Sequence, residues 1–297
     1  MQVLTPRATD LGGLEVRRLL PQRPRRMVGA WCFLDLFGPA RFAEGRPMDV
    51  APHPHCGLQT VTWLLEGEAV HKDSLDSEAV ARPGALNLMT SGRGIAHSEE
   101  TPVRNSGRLH GVQLWVALPD VRRHDAPAFD HHAERPLVDV SAAQAIVMLG
   151  ELAGVEAPAR TFSPLLGAEL RLPAHAEAVV PLRADFEHAL VPLDVPCEGE
   201  GERLAVDHLH YLEPGRHQVV LRGGSEPARV LLLGGVPFPE PILMWWNFVA
   251  RTTDEIAAAR ADWQAGRRFG EVRRYAGARL DAPAFAGARP VPANPMS

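Results

Sequence analysis

A chain of 297 residues with 45% hydrophobic and 23% charged side chains has the make-up of a folded protein of about two domains, which excludes disorder over most of its length. Its formal net charge of −5, with Lys and Arg scattered, offers no basic face for direct nucleic-acid binding. No apolar run approaches the roughly 20 residues that span a bilayer, and Met1-Gln2-Val3-Leu4-Thr5-Pro6-Arg7 has no basic-then-apolar pattern. A cytoplasmic protein without membrane attachment, acting as a monomer, is the expectation.

In chain order, short runs of β-branched, aromatic and aliphatic residues recur between Gly and Pro punctuation. Leu14–Leu20, Trp31–Phe37, Gln59–Leu65, Ala85–Met89 and Gly111–Leu118 read as strands in the first half. Ile146–Leu149, Ala168–Leu172, Phe186–Val195, Asp207–Leu212, Gln218–Leu221 and Arg229–Leu233 repeat the texture in the second half. Turns such as Glu213-Pro214-Gly215 and Arg222-Gly223-Gly224 separate them. Strands this short favour two all-β barrels or sandwiches of the jelly-roll type, because closure removes exposed sheet edges. The Pro- and His-rich stretch His124–Pro136 reads as the linker between them.

One helix is predicted from about Asp254 to Ala265, with Thr252 and Glu255 at capping-box spacing and Gly266 as its stop. Ile256, Ala259 and Trp263 fall on its apolar face. After Tyr275 the chain turns rich in Ala, Pro and Gly and reads as a loose tail or extended arm. The expected division is an N-terminal domain over 1–130, a C-terminal domain over 137–250, and a helix with tail over 251–297.

Chemistry concentrates in two alternating pairs. His53 and His55 are separated by one residue, so in extended backbone they share a face about 6–7 Å apart at the Cα level and can converge on one ion. Some forty residues on, after the turn Ser91-Gly92-Arg93-Gly94, His97 and Glu99 repeat the alternation with a carboxylate as second member. Cys32, Cys56 and Cys197 are too scattered for a CxxC zinc pattern or a disulfide framework. Three neutral imidazoles and one carboxylate suit Fe(II), Mn, Co, Ni or Zn, with Cu also admitted, and in an octahedral ion leave two positions open.

Other candidates have plainer readings. His71 and Asp73 also alternate, on what reads as the solvated face of an outgoing strand. Gln113, on the strand that begins near His110-Gly111, is placed to hydrogen-bond beside the metal. The second HxH, His208-Leu209-His210, has no HxE partner at a useful distance and is not expected to bind metal. His131 and His132 read as solvent-exposed linker residues. Ser91–Gly94 lacks the Gly-Lys-Ser/Thr ending of a phosphate loop, and no GxSxG elbow is present.

Several segments together closely resemble the pirin family of bicupins. They are His53-Pro54-His55-Cys56-Gly57-Leu58-Gln59 with its continuation to Gly67, His71-Lys72-Asp73-Ser74, Arg82-Pro83-Gly84, Met89 to Glu99, and Gly111 to Pro119. In the second half the likeness continues at Gly234 to Ile242 and Trp245-Trp246-Asn247-Phe248-Val249. The resemblance implies two tandem cupin barrels, one metal in the N-terminal barrel and none in the other. It implies iron as the metal, with His53, His55, His97 and Glu99 at the ligand positions. Two positions depart from the pattern: Cys56 stands where Arg is usual, and Gln59 where many relatives have Glu. Cys56 is expected to point away from the metal and serve packing, and Gln59 lacks the charge of a general base.

The resemblance implies one of two functions. Some bacterial members cleave quercetin with O2, which makes this chain a quercetin 2,3-dioxygenase-type oxidoreductase with Glu99 as the one well-placed catalytic base and a phenolic chelator as substrate. The alternative is a non-enzymatic, redox- or iron-responsive regulatory protein that binds a protein partner.

Overall fold

The computed structural model describes residues 1–11, 14–42 and 48–285. Among these, antiparallel sheets account for nearly all regular structure, and Thr253–Gln264 is the single α-helix. The chain divides into two compact units, each stitched from three segments. One gathers Met1–Ala8, Arg17–Leu34 and Glu134–Phe238; the other gathers the described residues of Thr9–Val16, Asp35–Ala133 and Pro239–Ser297.

Strand pairing decides membership of the first unit. Gln2–Leu4 pairs antiparallel with Leu209–Leu212, placing Val3 opposite His210. The sheet continues through Glu187–Pro192, Ala228–Gly235, Leu165–Leu172, Ala143–Leu149 and Leu137–Val140. A four-stranded sheet, Glu177–Pro181, Gln218–Arg222, Cys197–Gly199 and Glu202–Leu204, completes the jelly roll. Its interior is aliphatic, with Leu166, Leu170, Leu190, Leu212, Val230 and Leu232 in one buried cluster. The N-terminal segment is tied in by polar contacts as well. Trp31 Nε1 donates to the carbonyls of Leu166 and Gly234 at 3.1 and 3.2 Å, and the Tyr211 hydroxyl donates to buried Glu187 at 2.6 Å, beside Arg25 at 3.4 Å.

In the second unit a four-stranded sheet runs in the order Asp49–His55, Ile95–Glu100, Ala69–Asp73, Glu78–Ala81. The larger sheet runs Ala128–His132, Leu86–Thr90, Leu58–Gly67, Arg108–Ala117, Trp31–Arg41, Leu14–Leu20, Arg7–Leu11. Ala128–His132 corrects the expected linker: it pairs in register with Leu86–Thr90, and His131 Nδ1 bonds Asn87 Oδ1 at 2.7 Å. His131 is exposed and His132 half-buried.

The helix forms where its signals stand. Thr252 Oγ1 accepts from Glu255 N at 3.2 Å, while the Glu255 carboxylate accepts from Arg251 N at 2.8 Å, one residue before the expected partner. Ile256, Ala259 and Trp263 are buried and join Phe248, Phe269, Ala96 and Cys56 in one apolar cluster. The segment after Tyr275 is held down as far as 285: Leu280 N donates to Pro52 O at 2.9 Å, and Trp263 Nε1 donates to Leu280 O at 2.8 Å. The rest of the expected tail lies outside the described residues.

Gly57 joins the strand ending at His55 to the next one with φ +75, and a Cβ there would collide with the Val249 carbonyl. Gly84 has φ +86 in open space. Gly84→Ala is expected to cost about 1–2 kcal/mol from backbone conformation alone, and Gly57→Ala clearly more. Denaturant midpoints check this, and equal costs would refute the collision.

Candidate metal centre

Alternation along three adjacent strands assembles the site. His97 lies opposite His53 on one side and Asp73 on the other, and Glu99 lies opposite His71. Side chains two apart share a face, so His53, His55, His71, Asp73, His97 and Glu99 all fall on the same face of the small sheet. All six are buried. A bulge between His97 and Glu99 shifts their register against Asp49–His55 but not against Ala69–Asp73.

One ring nitrogen each from His53, His55 and His97 lies within 4.8 Å of the others, the one such convergent group among the described residues. The other nitrogens are engaged. His53 Nδ1 is 2.9 Å from the Ala51 carbonyl, and His55 Nδ1 is 3.1 Å from the Asn247 carbonyl. A carbonyl only accepts, so both rings carry their proton on Nδ1 and keep a lone pair at Nε2. His97 Nδ1 sits 3.3 Å from His71 Nδ1.

Burial keeps the rings uncharged. Desolvation lowers His53 from 6.5 to about 4, against a partial rise from the Ala51 carbonyl. Desolvation and the neighbouring histidines hold His55 and His97 well below the usual range. Three neutral imidazoles with free nitrogens turned to a common point form a donor set for a transition-metal ion, so these residues fit such a group. The same desolvation raises Glu99, partly offset by a hydrogen bond from Thr62 Oγ1 to Glu99 Oε1 at 2.8 Å. Thr62 Oγ1 also meets Gln113 Oε1 at 3.0 Å. One hydroxyl proton serves one acceptor at a time, so Glu99 and Gln113 share the Thr62 donor. Gln113 thus reaches the site through Thr62, a residue that no sequence motif marked.

The solvated face expected for His71 and Asp73 is corrected: they are 3% and 2% exposed, with His71 Nε2 3.1 Å from Asp73 Oδ2. Strand Ile95–Glu100 covers them on one side, and Phe129 stacks on His71 with ring centroids 4.1 Å apart. Trp115 meets His55 edge-on at 5.1 Å. Gln59 alternates to the strand face opposite Thr60 and Thr62 and donates to Thr90 Oγ1 at 2.9 Å. Cys56 packs in the apolar helix cluster, its thiol pushed up to about 11 by burial. In the other unit His208 Nδ1 meets the Val206 carbonyl at 2.8 Å, and among the described residues no third ligand converges on buried His210. Ser91 closes its turn by donating from Oγ to Leu58 O at 2.6 Å.

Comparison with known proteins places this geometry among relatives. The family pattern "Pirin" matches residues 13–116, and "Pirin C-terminal cupin domain" matches 167–270. A Pseudomonas aeruginosa protein named "Putative quercetin 2,3-dioxygenase" is 48% identical over 95% of this chain and 90% of its own length. A "Pirin-like protein" of Caulobacter vibrioides is 40% identical over 89% of this chain and 93% of its own. The crystal structure of a quercetin 2,3-dioxygenase from Acinetobacter baumannii superposes with a TM-score of 0.93 at 41% identity, covering 97% of both chains.

The buried imidazoles set a pH dependence for the metal-free protein. Their folded values lie below the unfolded 6.5, with His53 near 4, so on acidification the unfolded chain takes up protons first. Stability is full above pH 6.5 and is lost as pH falls through the folded values, by up to about 1.4 kcal/mol per pH unit for each proton. After chelation the thermal midpoint is expected to drop steadily from pH 7 to pH 4.5, with a shallower slope in His97→Gln. His188 in the other unit, also lowered to about 4, adds equally to both slopes. Parallel slopes for the two proteins would refute a neutral His97.

Proposed function

Because the chain belongs to the pirin family of tandem cupins, we propose that it is an iron-dependent dioxygenase that cleaves quercetin or a related chelating phenol with O2. Ferrous iron is assigned to His53, His55, His97 and Glu99, in the N-terminal cupin. The observation that carries this reading is the trio of buried neutral imidazoles converging on the strand that also holds Glu99. Mn, Co, Ni, Cu and Zn suit the same donors, and the choice of iron rests on the family.

A divalent metal held here supplies Lewis acidity toward a chelating phenol and a one-electron couple. The chain's own residues do the rest. Glu99, raised by burial, is a stronger base than an exposed carboxylate, and with Oε1 held by Thr62 its Oε2 receives the phenol proton. Gln113 Oε1 accepts from the same Thr62 hydroxyl at 3.0 Å, which ties the Gln113 amide to the Glu99 side of the site. Trp115 and the sheet interior exclude bulk water from the reacting groups.

Elemental analysis is expected to show roughly 10-fold or greater loss of bound metal in His97→Ala and Glu99→Ala, and none in His208→Ala. Full retention in the first two would sink the ligand assignment. Iron-loaded protein is expected to consume quercetin absorbance in air and not under argon, with Glu99→Gln slower by about 10²–10⁴-fold. Aerobic loss no greater than that of a chelated control would remove the enzyme reading in favour of a redox-responsive binding protein.

A further inference from the structure

We infer that Asp73 and His71 form a positioning relay that fixes the proton of His97 on Nδ1 and so directs its Nε2 lone pair to the metal. The inference rests on the assignment of His97 as a donor, but it concerns residues outside the ligand set and is read separately from turnover.

The direction of each bond follows from the acceptor at the far end. Asp73 Oδ1 accepts from Leu75 N at 2.8 Å and Ser77 N at 3.0 Å, which fixes the rotamer and leaves Oδ2 for His71 Nε2 at 3.1 Å. These bonds and the neighbouring histidine hold the carboxyl below its usual range despite burial. A carboxylate can only accept, so His71 Nε2 carries a proton. An imidazole with its single proton on Nε2 offers Nδ1 as an acceptor, and the partner across 3.3 Å, His97 Nδ1, then donates. Phe129, stacked 4.1 Å above His71 with planes 4° apart, keeps that ring from turning out of line. His53 and His55 have their protons set by backbone carbonyls, whereas His97 has no carbonyl on its Nδ1 and takes the equivalent instruction from a carboxylate two bonds away.

Asp73→Asn tests the relay with little change of shape. The two backbone donors keep the asparagine Oδ1, so its NH2 faces His71 and must donate to Nε2. His71 then carries its proton on Nδ1 and donates to His97, whose own proton moves to Nε2. His71→Gln is the conservative counterpart, since its amide can donate to Asp73 and accept from His97 Nδ1. With ¹⁵N-labelled histidine in the full metal-free chain, the nitrogen spectrum of His97 is expected to show a bare Nε2 in the wild type and in His71→Gln, and a bare Nδ1 in Asp73→Asn. Zn(II) affinity by chelator competition is expected to fall about 10–100-fold in Asp73→Asn and to stay near wild type in His71→Gln. A proton on Nε2 of His97 in the wild type, or an unchanged His97 spectrum in Asp73→Asn, overturns the relay. A tautomer shift with unchanged Zn(II) affinity upholds the relay and counts against His97 as a donor. Absence of quercetin turnover touches the proposed reaction and leaves the relay standing.

Discussion

Three buried imidazoles, each with a nitrogen within 4.8 Å of the others' nitrogens, impose the condition that the surrounding structure meets. Desolvation denies them charge, and a buried neutral ring still has a donor and an acceptor to satisfy. Each ring settles its Nδ1 against the protein: His53 on Ala51 of its own strand, His55 on Asn247, His97 on His71. Nε2 remains on all three. The partners come from separate stretches of chain, so the donor set exists only when those stretches are assembled.

The C-terminal segment does much of that assembly. Val249 N donates to Cys56 O at 3.0 Å and Leu280 N to Pro52 O at 2.9 Å, bracing the strand of His53 and His55 from both ends. Ala96 N donates to Phe269 O at 3.0 Å beside His97, and Ser74 Oγ bonds the same carbonyl at 2.7 Å next to Asp73. The helix is the weight behind these contacts, since Ile256, Ala259 and Trp263 bury the apolar cluster that includes Cys56 and Ala96. Cys56 fits this role as an apolar packing residue with a hard-to-ionise thiol.

The other unit has the same pair of sheets with a different interior. Its four-stranded sheet buries Ala178, Val180, Val219 and Leu221, where the four-stranded sheet of the metal unit carries buried imidazoles and carboxylates, and among the described residues His208 and His210 gather no third ligand. Equal architecture with unequal lining separates fold from chemistry. Glu187 shows how that unit uses a buried carboxylate instead: it receives the Tyr211 hydroxyl and the Gly29 N–H, a structural tie for the N-terminal segment.

Residue order by itself determined the all-β class, the capped helix with its Ile256, Ala259 and Trp263 face, and the alternation of His53 with His55 and His97 with Glu99, because periods of 2 and 3.6 are written in the spacing of residues. It also exposed the alternation of His71 with Asp73, but alternation says only that two side chains share a face, not which face is inward. That choice was made when Ile95–Glu100 paired with Ala69–Asp73 and Phe129 covered His71. Thr62, the Asn247 carbonyl and the strand Ala128–His132 were likewise decided by tertiary structure, since each gains its meaning from a partner 37, 192 or 44 residues away. No local pattern encodes a contact whose other half lies so far along the chain, and the membership of Gln2–Leu4 in a sheet with Leu209–Leu212 was settled for the same reason.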